Sequence, residues 1–223
     1  MACAEGVAST TMLYSSPAMP AISAPTAPPK TRDRDVRALV LRTVLADHAN
    51  DTNARIVHEL GLEHGACRVD IAVVNGFLHG FELKSDADNL VRLPRQVEAY
   101  SRSLDRATLV VGVEHLAAAQ AMIPPWWGLK VIVAGSKGAL KLQTHRRVQN
   151  NPDPSLFHMA HLMWRSEVVE VLRAHGASSK ELSLNRAGLY RLFVDAFQPG
   201  DVRKKIRQAL KSRENWRHPA QPS

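Results

Sequence analysis

Two short apolar runs, Arg68 to Val74 and Phe77 to Lys84, meet at Asn75-Gly76, and this pair constrains the 223-residue chain more than any other feature. Asn-Gly between alternating apolar residues is a strong short-range signal for a β-hairpin. Val69, Ile71 and Val73 are apolar in the first run, and Phe77, Phe81 and Leu83 in the second. Successive strand residues face opposite ways, so both odd sets are expected on the core face, with Asp70, Glu82 and Lys84 together on the other. A two-residue turn would pair Val74 with Phe77, and hence Asp70 with Phe81, which breaks that match by one residue. The arrangement therefore requires a three-residue loop with Gly76 left-handed, or a bulge.

Around this hairpin the pattern alternates. Val36, Leu39, Val40 and Val44 recur at helical spacing after Asp33, a residue able to cap a first turn. A short second helical piece is expected from Arg55 to Leu60, ended by Gly61. Beyond the hairpin come a helix from Leu93 to Leu104, with Pro94 in its first turn, and a buried strand from Ala107 to Val113. A helix from Glu114 to Met122 is stopped by Pro124-Pro125; a strand follows from Lys130 to Ala134, with a short edge at Gly138 to Thr144. This order implies an α/β fold with a mixed central sheet flanked by helices.

The breaker cluster Asn150 to Pro154 separates a core, 31–150, from an all-helical region, 151–223. That region is expected to form helices from Leu156 to Arg173 and from Arg186 to Phe197, then a basic tail. Residues 1–30 hold five of the 13 prolines among Ala, Ser and Thr, and are expected to be a disordered leader.

The chain carries 29 Lys and Arg against 21 Asp and Glu, a formal charge of +8, which favours an anionic partner. The excess is uneven. Residues 199–223 hold seven basic and two acidic residues. With Val202, Ile206, Ala209 and Leu210 as an apolar stripe, Arg203, Lys204, Lys205, Arg207 and Lys211 fan over the opposite face, as a nucleic-acid contact or as a solvated helix surface. Two cysteines, Cys3 and Cys67, are too few for a disulfide framework, so a reducing cytoplasm is the expected compartment. No apolar run reaches the roughly 18 to 20 residues of a membrane span.

Glu82-Leu83-Lys84 sets a carboxylate and an ammonium side by side on one strand face, with Asp70 one strand away. Two carboxylates and a lysine suit a hard divalent cation, Mg²⁺ or Mn²⁺, and a phosphoryl transition state. The same spacing also describes an exposed ion pair of little consequence. Other residues are weaker pointers. His64 and Cys67 lack a second ligand pair for zinc, His158 and His161 fit surface or packing roles, and Trp126-Trp127 either stack on bases or clamp a loop.

With Glu59 before the hairpin and Gln96-Val97-Glu98-Ala99-Tyr100 after it, the sequence resembles the PD-(D/E)XK phosphodiesterase superfamily of metal-dependent nucleases. The last five residues are similar to the Gln-x-x-x-Tyr motif of RecB-type exonuclease domains. Two features depart from the pattern: Val69 stands where a proline often precedes the aspartate, and no four-cysteine iron-sulfur cage is present.

The resemblance implies a restriction-endonuclease-like core that hydrolyses DNA. Asp70, Glu82 and the Leu83 carbonyl would hold Mg²⁺ or Mn²⁺, with Glu59 on a leading helix as accessory ligand. Lys84 would position the hydrolytic water, Gln96 would orient Lys84 or the phosphate, and Tyr100 would contact the nucleic-acid backbone or simply pack. A homodimer is compatible with it. The alternatives are a non-cleaving nucleic-acid-binding or adaptor module on the same fold, and a nuclease directed at RNA.

Overall fold

In the computed structural model, which describes residues 30–135 and 139–213, Val74 pairs with Leu78, Val73 with His79, Ala72 with Gly80 and Ile71 with Phe81. The connection is thus the three residues Asn75, Gly76 and Phe77, as the alternation requires. Gly76 is not left-handed, because among the described glycines only Gly65 and Gly176 have positive φ. The Asn75 side chain closes the loop instead, its Oδ1 accepting the Phe77 N–H at 3.0 Å.

The elements run α1 (Asp33–Asp47), β1 (Arg55–Leu62), β2 (Cys67–Val74), β3 (Leu78–Lys84), α2 (Leu93–Ser103), β4 (Arg106–Gly112), α3 (Leu116–Met122), β5 (Gly128–Ala134) and β6 (Leu140–Arg146). Helices α4 (Leu156–Ala160), α5 (Arg165–Ala174), α6 (Ser179–Leu182), α7 (Arg186–Ala196) and α8 (Pro199–Ser212) follow. The strands lie in sequence order in one sheet, antiparallel through β1–β2–β3, parallel through β3–β4–β5, and antiparallel again at β6. This is an α/β fold with a mixed sheet and a helical C-terminal region.

The segment expected as a helix from Arg55 to Leu60 is a strand. Val57 and Leu60 are three apart and pack into one cluster, which mimics a helical stripe. The spacing arises because the strand is kinked: Glu59 has φ 52°, and it is the one position between Arg55 and Leu62 that does not pair with β2. The partner strand turns at the same level. Val69 and Ala72 enter one cluster, whereas Ile71 and Val73 enter the other, so the odd positions of β2 do not all share a face. Asp70 sits at that switch.

On one side of the sheet, Val36, Leu39, Val40 and Val44 of α1 cover Ile71, Val73, Phe81 and Leu83. On the other, α2, the buried Trp126 and Trp127, and the C-terminal helices share a second cluster through residues such as Met159, Tyr190, Phe193 and Ile206. The expected helix from Leu156 to Arg173 is two helices; Glu167 accepts the Trp164 N–H at 2.7 Å and starts α5 afresh. The proposed leader, apart from Lys30, lies outside the described residues, as do Ser136 to Gly138 of the edge hairpin and the tail beyond Arg213.

Candidate active site

The β2–β3 ladder ends at Ile71–Phe81. Continuing that register sets Asp70 opposite Glu82, and the Leu83 N–H is taken by Asp70 Oδ2 at 2.9 Å. A cavity of about 570 Å³ opens there, lined by Glu59, Asp70, Glu82, Leu83, Lys84 and Gln96 together with Arg37, Arg68, Arg92 and Arg95. The structure therefore brings together the residues expected at a metal-dependent site, from β1, β2, β3 and the first turn of α2.

Glu82 is only 1% exposed, and both its oxygens are held. Oε1 accepts from Lys84 Nζ at 2.6 Å and Gln96 Nε2 at 2.5 Å, and Oε2 accepts from the Tyr100 hydroxyl at 2.5 Å. Earlier along β3, Gly80 leaves room for Leu104 and Val69, since a Cβ there would stand 2.6 Å from Leu104 Cδ1 and 2.9 Å from Val69 Cγ1. Burial, then the Glu82 charge, pushes the Tyr100 phenol well above its ordinary pKa, so it stays a donor.

Asp70 faces the cavity from the opposite lip. Burial and the neighbouring Glu82 carboxylate raise its pKa to about 6, opposed by the Leu83 N–H, Arg37 and Lys84. Arg37 reaches down from α1, with Nη2 3.1 Å from Asp70 Oδ1 and 3.0 Å from Glu59 Oε1. Glu59 thus reaches the site from a kinked strand rather than from a leading helix.

The donor set fits a hard cation in one specific sense. Among the described residues no three His, Cys, Asp or Glu side chains are grouped to hold a metal ion. Mg²⁺, however, is commonly held by one or two carboxylates, with waters and substrate oxygens completing the shell. Asp70 and Glu82, with the Leu83 carbonyl, supply that minimum. Gln96 Oε1 is a buried acceptor on the cavity wall with no partner among the described residues, as expected where a bound water or ion is to complete the site.

At three positions the structure decides between readings that the sequence leaves open. Tyr100 is fully buried and stacks on Trp127, with centroids 5.4 Å apart, so it supports Glu82 from below and is not placed to touch nucleic acid. Trp126 and Trp127 are buried, which leaves no face for stacking on bases. The Glu82–Lys84 pair is no surface ion pair, since the two side chains are 2% and 6% exposed.

The basic helix α8 is only partly free. Arg203 and Arg207 approach the buried Asp105 carboxylate at 3.3 and 3.6 Å, Lys211 Nζ donates to Asn53 Oδ1 at 2.6 Å, and Lys205 lies over the Phe197 ring. Lys204 is exposed. Sequence reasoning passed over Arg37, Arg68, Arg92 and Arg95. Arg37 carried a faint signal, lying on the same α1 face as Asp33, whereas the other three come together only through the fold.

The histidines gather elsewhere. His64, His158 and His161 line a second cavity of about 330 Å³ with Glu63 and Arg102. His161 stacks on Tyr190 at 4.5 Å, and burial pushes its pKa down to about 4. Cys67 is buried, its thiol pushed up to about 11 by burial and then by Glu82. These are packing roles.

Compared with known proteins, residues 28–219 match the family model described as bacteriophage P4 protein cII. The chain belongs to the phage P4 cII family. A relative, protein cII of Enterobacteria phage P4, is 37% identical over 59 residues, covering 26% of this chain and 22% of that protein. The aligned stretch thus spans less than a quarter of that relative. No solved structure matches this cII-family chain. Among its described residues no helix is long and apolar enough to cross a membrane.

Proposed function

We propose that the protein is a Mg²⁺- or Mn²⁺-dependent nuclease of PD-(D/E)XK type that hydrolyses phosphodiester bonds of DNA. The observation that carries this reading is the convergence of Asp70, Glu82, Lys84 and Gln96 on one cavity from three separate elements. Those residues arise from the pattern Asp…Glu-x-Lys followed by Gln-x-x-x-Tyr, on a mixed α/β sheet.

The cation would supply charge neutralisation at the phosphate and a water acidic enough to ionise near neutral pH. The remaining roles fall to the chain itself. Asp70 and Glu82 would bind the cation, and Tyr100 and Gln96 hold the Glu82 carboxylate in place. Lys84, its ammonium beside Glu82 in the same cavity, is placed to orient a water and to offset charge that develops on the phosphate.

A second reading has one observation in its favour: both Glu82 oxygens already accept bonds from protein donors, as a purely structural pair would. On that reading the protein binds nucleic acid without cleaving it and takes up no metal. Calorimetric titration of Mn²⁺ into the wild type and Asp70→Asn separates the two. The nuclease reading expects uptake that Asp70→Asn weakens at least tenfold; no uptake by the wild type overturns it. A panel of linear, nicked, flapped and four-way DNA, with an RNA counterpart, then defines the substrate.

A further inference from the structure

The charges that line the cavity divide into two sets. Its acidic residues are engaged within the protein: Asp33, Glu59 and Asp70 by Arg37, Glu82 by Lys84, and Asp88 by the N–H and hydroxyl of Ser85 at 2.8 and 2.7 Å. Arg37 and Lys84 are the cations of those pairs. Arg68, Arg92 and Arg95 remain. All three are exposed, all three line the cavity, and none makes an ion pair or a side-chain hydrogen bond with a described residue.

They come from two directions. Arg68 is the second residue of β2, beside the strand kink, and Arg92 and Arg95 sit at the start of α2, whose first turn holds no acidic residue. Asp70 follows Arg68 by two residues on β2, and Glu82 lies on β3 between the two directions in sequence. An anion held in this cavity would thus meet guanidinium groups from two separate segments as well as the carboxylates.

We propose that Arg68, Arg92 and Arg95 form the surface that grips a nucleic-acid backbone, and that α8 does not. This rests on the nuclease reading for the direction of the strand, with a phosphodiester laid across the cavity mouth. Guanidinium groups suit phosphate oxygens because their planar donors match two acceptors at once. They carry no base readout in this position, so the surface is sequence-neutral. In α8, by contrast, Arg203 and Arg207 are spent on Asp105.

The test is fluorescence anisotropy with labelled single-stranded DNA and RNA oligonucleotides in EDTA, at several salt concentrations. The variants are the triple Arg68→Ala/Arg92→Ala/Arg95→Ala and, as a control, Lys204→Glu, each checked by thermal unfolding. The triple variant is expected to bind at least tenfold more weakly and to lose about 2 from the log–log salt slope, since each single-strand phosphate contact contributes about 0.7. Lys204→Glu should bind as the wild type does.

Wild-type binding by the triple variant, a loss confined to Lys204→Glu, or no binding by the wild type overturns the proposal. Parallel assays with Mn²⁺ keep the two readings apart. Cleavage by the wild type with unaltered binding by the triple variant defeats the arginine surface alone. Weakened binding without any cleavage by the wild type defeats the nuclease reading alone. A preference between the DNA and RNA probes identifies which backbone is held.

Discussion

Lys84 Nζ lies 2.6 Å from Glu82 Oε1, two residues apart on β3 and almost wholly out of solvent. A buried pair behaves unlike a surface one: deleting one partner strands the other charge, at a cost of about 3–5 kcal/mol. Lys84→Met, which keeps the side chain's bulk, is therefore expected to lower stability by that order as well as to abolish metal-dependent cleavage. Adding Glu82→Gln should restore much of the stability and none of the activity. Denaturant unfolding of both single variants and the double variant checks this; a Lys84→Met protein as stable as the wild type contradicts it.

Tyr100 gives a finer test of the same carboxylate. Tyr100→Phe keeps the ring against Trp127 and removes only the hydroxyl that donates to Glu82. A hydrogen bond to a charged group contributes about 1.5–3 kcal/mol, so the melting temperature should fall. Mn²⁺ affinity should fall too, while DNA affinity in EDTA should not. A loss of DNA binding equal to that of the arginine triple variant would mean that the hydroxyl touches the substrate.

Asp105 predicts a stability effect far from the cavity. Its carboxylate is 4% exposed, accepts the Leu78 N–H at 2.8 Å and faces Arg203 and Arg207 of α8. Asp105→Ala removes the bond that starts β3 and leaves two guanidinium groups without a counter-charge. A loss of about 3–5 kcal/mol is expected, and Arg203→Ala should lose less. Neither change should alter the salt slope of DNA binding once the protein is folded.

How much of this was legible in the sequence depends on distance along the chain. The hairpin register follows from alternation about Asn75-Gly76, the pairing of Glu82 with Lys84 from their spacing on one strand, and the place of Gln96 only from the resemblance to RecB-type domains. At β1 the left-handed Glu59 resets the strand alternation and imitates a helical stripe. The roles of Arg203 and Tyr100 were hidden for another reason. A basic residue on an amphipathic helix looks the same whether it meets solvent or a buried carboxylate 98 residues away. The three rim arginines, drawn from two segments, become a group only when β2 and α2 are set side by side.

His79 sets an acid limit. Burial, then Arg106, His48 and Lys130, depresses its pKa to about 3, and its Nε2 lies 2.8 Å from Thr108 Oγ1. The folded protein therefore keeps the ring neutral, whereas the unfolded chain takes up a proton near pH 6.5. This contributes nothing above about pH 6.5. Below it, stability falls by about 1.4 kcal/mol per pH unit until the folded state also protonates near pH 3. His79→Gln should flatten the pH dependence of the unfolding free energy between pH 6 and about 4; an unchanged slope would contradict the assignment.

The most direct measurement of the central claim is cleavage of linear DNA by purified wild type, Asp70→Asn and Lys84→Met, with Mn²⁺, with Mg²⁺ and with EDTA. Cleavage is expected from the wild type with either metal and not in EDTA, and from neither variant although both remain folded. No cleavage by the wild type with either metal on DNA, or cleavage by Asp70→Asn at the wild-type rate, would contradict it.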